Sequence, residues 1–76
     1  NPSRGIAVIR WSGLHEGRSA RLAVYDAAGR LVLVRAVGPA ASGTVRLDLR
    51  FLPSDVYFVR LTSNGRTTDQ KLVLRK

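Results

Sequence analysis

Apolar and polar residues alternate along much of this chain, and this period of two restricts its fold more than any other feature. Two sets of apolar residues each fall on one face of an extended segment: Ala20, Leu22 and Val24, and Val45, Leu47 and Leu49. Such alternation is typical of antiparallel strands with one face in a core and the other in water. Ile6–Trp11 and Thr68–Leu74 are predicted to be strands of the same kind. Leu31–Val34 is a continuous apolar run, which predicts a strand covered on both faces.

Turn-forming residues separate these segments at regular intervals. They occur at 13–17, 27–29, 38–43, 52–54 and 63–65. A spacing of about 8–12 residues between turns is typical of an all-β sandwich or barrel. Asn64-Gly65 is the strongest hairpin signal, because both residues adopt positive φ at low cost. No segment keeps the apolar period of about 3.6 residues that marks a helix, so we predict an all-β domain of six or seven short strands.

The chain has 76 residues and no cysteine. One domain covering residues 1–76 is therefore expected, with a thin core and no disulfide to reinforce it. No apolar run approaches the roughly 18 residues that a membrane helix needs, so no transmembrane segment is predicted. The turn-forming segment Asn1–Gly5 is typical of a domain boundary, and it predicts an excised C-terminal module.

The formal net charge is +8, and eleven of the thirteen cationic side chains are arginines. A basic surface attracts anions such as nucleic acid, lipid headgroups or lipopolysaccharide phosphates. The arginines are spread along the whole chain, however, which favours a solubilising role on solvated strand faces. Nucleic-acid binding is not favoured, because single-strand platforms interleave cations with exposed aromatic side chains, and most of the aromatics here lie in strand patterns where packing in the core is expected.

Catalytic and metal-binding residues are not apparent in the sequence. His15, the single histidine, lies beside Glu16 in a glycine-flanked loop without a partner suited to acid–base chemistry. Zinc prefers nitrogen and sulfur ligands, and the five acidic residues are too scattered for a calcium loop. We therefore predict no enzymatic activity, no metal site and no cofactor. Asp26 is expected to accept backbone N–H groups of its own turn.

Tyr57 follows a proline-containing turn at 52–54. Its hydroxyl could form a hydrogen bond back across a sandwich corner, as tyrosine corners do in Ig-like domains. Packing in the core or on a strand surface is equally compatible with the sequence.

Two separated motifs, taken together with both ends of the chain, resemble a known family. The motif residues are Asn1-Pro2 with Gly5; Leu22-x-Val24-Tyr25-Asp26-x-x-Gly29-Arg30-x-Val32; Leu52-Pro53-Ser54-x-x-Tyr57-x-x-Arg60-Leu61; and Lys71-Leu72-Val73. In this order they resemble the type A C-terminal sorting domain of the type IX secretion system. Part of the pattern is also similar to the Ig-like domain of the flagellar hook-capping protein. Asp55 stands where the family usually has glycine, and aspartate tolerates left-handed backbone better than most residues.

The resemblance implies an Ig-like antiparallel β-sandwich of about seven short strands at the C-terminus of a secreted protein. It implies a non-catalytic signal that directs its cargo through the periplasm and across the outer membrane to the cell surface. The implied partners are the outer-membrane secretion machinery, a sortase-like peptidase that in this family usually removes the domain, and anionic lipopolysaccharide, to which the cargo is linked when it is not released. The implied recognition residues end the chain: Lys71, Leu72, Val73, Leu74, Arg75 and Lys76. The implied structural motif residues are Tyr25, Asp26, Gly29, Arg30, Pro53, Tyr57 and Leu61.

Two other functions remain open on the sequence. The first is a carbohydrate-binding or adhesive β-sandwich appended to an extracellular enzyme, for which Trp11 and Tyr25 are the candidate exposed aromatics. The second is a basic nucleic-acid-binding barrel, which would bind oligonucleotides with a steep salt dependence.

Overall fold

The computed structural model describes residues 2–11, 19–38, 43–63 and 65–75. All the secondary structure in these ranges is β, which confirms the all-β prediction. The strands are β1 (Pro2–Ser3), β2 (Ile6–Trp11), β3 (Ala20–Tyr25), β4 (Leu31–Val37), β5 (Gly43–Asp48), β6 (Asp55–Ser63) and β7 (Arg66–Leu74).

The strands form two sheets. Five strands make the larger sheet in the order β1-β7-β6-β3-β4, and β2 pairs with β5 in the smaller one. Every pairing is antiparallel except that of β1, which runs parallel to β7 with Pro2 opposite Val73 and Ser3 opposite Leu74. Buried side chains from both sheets form one hydrophobic cluster, as expected for an Ig-like sandwich.

Strand register assigns each residue of the larger sheet to one of two faces. Leu22 lies opposite Leu61 on β6, and Val24 lies opposite Val59. These residues face the core, together with buried Tyr57, Leu72 and Leu74. Their neighbours along each strand point to the outer face, because successive side chains of a strand alternate.

The predicted alternation is confirmed in the smaller sheet and in β3. Ile6–Trp11 is a strand with the predicted bounds, and its inward residues Ala7 and Ile9 are buried. In β3, the residues predicted to share one face (Ala20, Leu22 and Val24) are buried. β7 begins at Arg66, two residues before the predicted start. The short strand β1 was not predicted, because two residues carry no periodicity.

The prediction for Leu31–Val34 is wrong. This run belongs to β4, which lies at one edge of the larger sheet and pairs only with β3 among the described strands. Leu31 is 48% exposed and Val34 is 45% exposed, so the outer face of β4 is not covered. A continuous apolar run reports hydrophobicity on both faces, but it does not report whether anything packs against them.

The hairpin between β6 and β7 forms where the sequence predicted it. Ser63 lies opposite Arg66, which leaves a two-residue connection. Gly65 has a φ of 79°, the positive value that such tight hairpin turns require. Asn64, the other residue of that connection, lies outside the described residues.

Candidate functional site

Asp26 organises the turn between β3 and β4. Its Oδ1 accepts hydrogen bonds from the backbone N–H groups of Ala28 (3.0 Å) and Arg30 (2.8 Å). Its own backbone N–H donates to the carbonyl of Arg30, and its carbonyl accepts from the N–H of Gly29. Gly29 has a φ of 87°, which closes the turn without the steric cost that a Cβ would bring. The predicted backbone-capping role of Asp26 is therefore confirmed.

Arg30 completes the same turn from the side chain. Its Nε donates to Oδ2 of Asp26 at 2.8 Å. The hydrogen bond from the Arg30 backbone, together with the guanidinium charge, lowers the pKa of the Asp26 carboxyl below its ordinary value of 3.8. The Asp26-x-x-Gly29-Arg30 motif is thus a structural unit in which one carboxylate holds both ends of the turn.

Tyr57 holds the second motif together. Its side chain is only 2% exposed, and its hydroxyl donates a hydrogen bond of 2.7 Å to the carbonyl oxygen of Pro53. The structure therefore selects the corner hydrogen bond over simple packing, although the ring is also part of the core. Burial raises the pKa of Tyr57, so the hydroxyl keeps its proton and remains a donor.

The two motifs meet at one end of the sandwich. A hollow of about 290 Å³ lies between their turns, and its walls include Asp26, Arg30, Pro53 and Tyr57. Leu61, the last residue of the second motif, lies further along β6, opposite Leu22, and packs against the core. The sequence pattern placed these residues in two separate turns; only the fold brings the turns side by side.

The C-terminal segment reaches the same end. Leu74 lies opposite Asp55, and Val73 lies opposite Val56, so β7 ends beside the start of β6. Leu72 and Leu74 are buried in the core, whereas Lys71 and Arg75 are exposed and Val73 is half-buried. Within the folded domain, a partner can reach Lys71, Val73 and Arg75, but not the two leucines. Lys76 lies outside the described residues.

An apolar and aromatic row leads away from Lys71 across the outer face of the larger sheet. Phe58 lies opposite Lys71, Tyr25 lies opposite Phe58, and Leu31 lies opposite Tyr25. Phe58 is 43% exposed. A shallow hollow of about 340 Å³ lies beside this row, with Tyr25, Phe58 and Arg60 in its wall.

Arg60 borders the row. It pairs with Asp69 through two hydrogen bonds, of which the shorter is 2.8 Å, and its guanidinium lies 5.9 Å from the centre of the Tyr25 ring. The hydrogen bond from Arg60 lowers the pKa of Asp69. Exposed Lys71, at which the row begins, therefore lies next to a surface of aromatic rings and the Arg60–Asp69 ion pair.

The expected exposed aromatics differ from those observed. Trp11 and Tyr25, the predicted candidates, are both half-buried, and Trp11 packs against the core. The exposed rings are Phe51, at 64%, and Phe58. Phe58 follows buried Tyr57 by one position, so strict alternation along β6 could have identified it as outward-facing.

The remaining chemical predictions concern metals, membranes and catalysis. Among the described residues, no three acidic or histidine side chains lie together as a metal site would require. Nor do those ranges contain a helix of the length and hydropathy needed to cross a bilayer. His15 and Glu16 lie outside the described residues.

These observations define a small Ig-like β-sandwich whose last strand contributes to its core and ends beside two motif-bearing turns. The family of secretion system C-terminal sorting domains matches residues 1–75. The chain therefore belongs to this family, and it is a C-terminal sorting signal of the type IX secretion system. No curated protein and no solved structure shows significant similarity to the chain.

Family membership also fixes the broad location and class of function. A domain of this kind implies a secreted or cell-surface protein. The carbohydrate-binding alternative is not favoured. Asp26, Gly29, Arg30, Pro53 and Tyr57 have structural roles in the two turns, whereas Leu61 packs against the core.

Proposed function

We propose that the domain is a non-catalytic sorting signal at the C-terminus of a larger secreted protein, with residues 1–76 acting as one domain. This signal directs the cargo protein through the periplasm and across the outer membrane. The secretion machinery of that membrane reads the domain, a sortase-like peptidase then removes it, and the cargo is attached at the cell surface.

The observation that carries this proposal is that the C-terminal segment contains both core residues and exposed cations. Leu72 and Leu74 are buried and fasten the segment to the core, while Lys71 and Arg75 present positive charge beside the two motif-bearing turns. The segment is thus held in a fixed register by the fold and offers a defined set of outward groups to a receptor.

The net charge of +8 supports a second contact, with anionic lipopolysaccharide. All the described arginines are exposed, so their charges face solvent and can meet phosphate groups at a membrane surface. Such an attraction is long-ranged at low ionic strength and weakens as salt is added. It would concentrate the domain near the outer leaflet without requiring a shaped pocket.

A reporter fusion tests the proposal. A fluorescent protein carrying this domain should reach the surface of a cell with a type IX system. Charge reversal at the two exposed cations, Lys71→Glu with Arg75→Glu, should reduce surface display. Arg35→Glu with Arg46→Glu, which reverses two exposed cations away from the C-terminal segment, is the matched control and should leave display unchanged.

Deleting Lys71–Lys76 gives the decisive negative test. If the reporter still reaches the surface without these residues, the end of the chain is not the address and the proposal is wrong. Circular dichroism of the purified charge-reversal variant establishes that its loss of display does not come from unfolding.

A further inference from the structure

The larger sheet has an edge that β1 covers only in part. β1 pairs with Val73 and Leu74 at the end of β7. Between Arg66 and Leu72, no described strand lies beside β7 on the side away from β6. The backbone N–H and C=O groups that point to this side are a ready template for another strand.

An apolar cleft opens beside the same part of β7. It has a volume of about 550 Å³ and lies between the sheets, with walls that include Ile9, Trp11, Val59, Leu61, Thr68 and Gln70. Thr68 and Gln70 are inward-facing on β7 by register, yet both are exposed. The smaller sheet therefore leaves this stretch of the inner face uncovered.

Trp11 lies against the backbone of β5 at this cleft. A Cβ added to Gly43 would lie only 2.8 Å from Cζ2 of the Trp11 ring, so the absence of a side chain at Gly43 allows that approach. Trp11, Gly43 and Leu61 all line the cleft.

We propose that this edge and this cleft together bind an extended peptide strand of a partner protein, with apolar residues at alternate positions and acidic residues between them. The peptide backbone pairs with β7 between Arg66 and Leu72. Its inward side chains enter the cleft, because the side chains of an added strand alternate between the two faces of the sheet. This inference rests on the proposed function, since it assigns the receptor contact to a specific part of β7.

Charge at the edge selects the chemistry of the partner. Lys71 is exposed on the outer face, to which the acidic residues of the peptide would point, and Arg66 is exposed at the hairpin end of the edge; neither forms an ion pair with a described residue. Asp69, the acidic residue of β7, is already engaged by Arg60 at 2.8 Å. A strand bearing acidic residues would therefore gain attraction, whereas the cations disfavour edge-to-edge pairing with a second copy of this chain.

Two adjacent threonines provide a matched pair of variants. Thr68 faces the cleft, and Thr67 faces the opposite side of the same strand. Thr68→Lys places a charged side chain in the cleft, where an apolar side chain of the peptide would have to displace it. Thr67→Lys makes the same chemical change and adds the same charge, but it leaves the cleft untouched.

The binding experiment uses a fluorescein-labelled peptide of nine residues, the length of β7, with alternating leucine and glutamate. Binding is followed by fluorescence anisotropy, and the pairing site is mapped by amide chemical shifts. We expect saturable binding with shifts concentrated at 66–72. Thr68→Lys should weaken it by about tenfold, about 1.4 kcal/mol, while Thr67→Lys should not weaken it.

Four results of the peptide-binding experiment would overturn the inference. They are no binding, equal binding of a peptide with lysine in place of glutamate, equal binding of a peptide whose leucines are grouped together, and equal weakening by the two threonine variants. Concentration-dependent dimerisation that produces the same amide shifts without peptide would assign the edge to a second copy and also overturn it.

Reporter display separates this inference from the proposed function. If the reporter with Thr68→Lys is displayed normally, while the reporter with Lys71→Glu and Arg75→Glu is not, only the strand-binding inference fails. If deletion of Lys71–Lys76 leaves display of the reporter intact, the proposed recognition of the C-terminal segment is wrong, whatever the peptide experiment shows.

Discussion

The hydroxyl of Tyr57 lies 2.7 Å from the carbonyl oxygen of Pro53 and ties the turn before β6 to the core of the sandwich. The ring that carries this hydroxyl is almost completely buried. One side chain thus fills the core and satisfies a backbone acceptor, which explains why a tyrosine follows the proline by four positions.

Replacing Tyr57 with phenylalanine removes this hydrogen bond and keeps the ring. The Pro53 carbonyl then loses its partner, and we expect the free energy of unfolding to fall by about 0.5–1.5 kcal/mol. Urea denaturation measures the change. Tyr25→Phe is the matched control, and its midpoint should stay close to that of the parent because no described residue forms a hydrogen bond with the Tyr25 hydroxyl.

Gly29→Ala tests the turn between β3 and β4. An added Cβ would meet no atom within 4 Å, so the substitution isolates the backbone cost of a φ of 87°. We expect destabilisation of about 1–2 kcal/mol, the cost of left-handed backbone for a residue with a Cβ. Gly29→Asn should recover part of it, since asparagine tolerates this region. Equal loss in both variants would contradict the explanation.

The free energy of unfolding should depend on pH through the carboxylates that are hydrogen-bonded to arginine side chains. Hydrogen bonds from Arg50 lower the pKa of Asp48 from 3.8 to about 2. The unfolded chain therefore takes up this proton first as the pH falls, so the stabilisation is complete above pH 3.8 and is lost as the pH falls towards 2.

Asp48→Asn should flatten the pH dependence of the urea midpoint in that same window, and Arg50→Gln should flatten it too. Arg35→Gln removes an exposed cation that forms no ion pair with a described carboxylate. It should keep the parent profile, and a flattened profile in this control would contradict the assignment to the Asp48–Arg50 pair.

The C-terminal segment should separate into residues for folding and residues for recognition. Leu74→Ala removes a side chain that is 1% exposed, and we expect a loss of about 2–5 kcal/mol in the free energy of unfolding. Lys71→Ala should leave the urea midpoint nearly unchanged but reduce surface display of a reporter. If both variants unfold at the parent midpoint, the burial of Leu74 does not stabilise the fold.

Gly43→Ala should displace the ring of Trp11. The added Cβ would otherwise lie 2.8 Å from Cζ2 of the Trp11 ring. Trp11 is the sole tryptophan of the sequence. Its fluorescence emission should therefore shift on substitution, with the parent spectrum as reference. An unchanged spectrum would show that the ring does not depend on this glycine.

The sequence predicted the strands better than it predicted their neighbours. Alternation identified β2 and the inward residues of β3, because burial on one face leaves a period of two. It could not place Leu31–Val34 at an edge, since edge position depends on the order of strands in the sheet. That order is set by contacts between residues distant in the chain.

In the candidate site, too, the sequence predicted local features but not those that depend on strand order. The local role of Asp26 followed from its turn chemistry, and the fold class followed from turn spacing together with the resemblance. The convergence of Asp26, Pro53 and the end of β7 did not follow, because it depends on how β3, β6 and β7 pair. The cleft beside Thr68 was also missed, since it arises where one sheet is narrower than the other.

The position of β7 after all the other strands has a consequence for how this protein is made. β7 pairs along its whole length with β6 and supplies Leu72 and Leu74 to the core. While these residues are still inside the ribosome, the domain lacks the strand that completes its sheet, so the nascent chain cannot mature. A message truncated before this strand would therefore yield a domain that lacks one strand of its larger sheet and two leucines of its core.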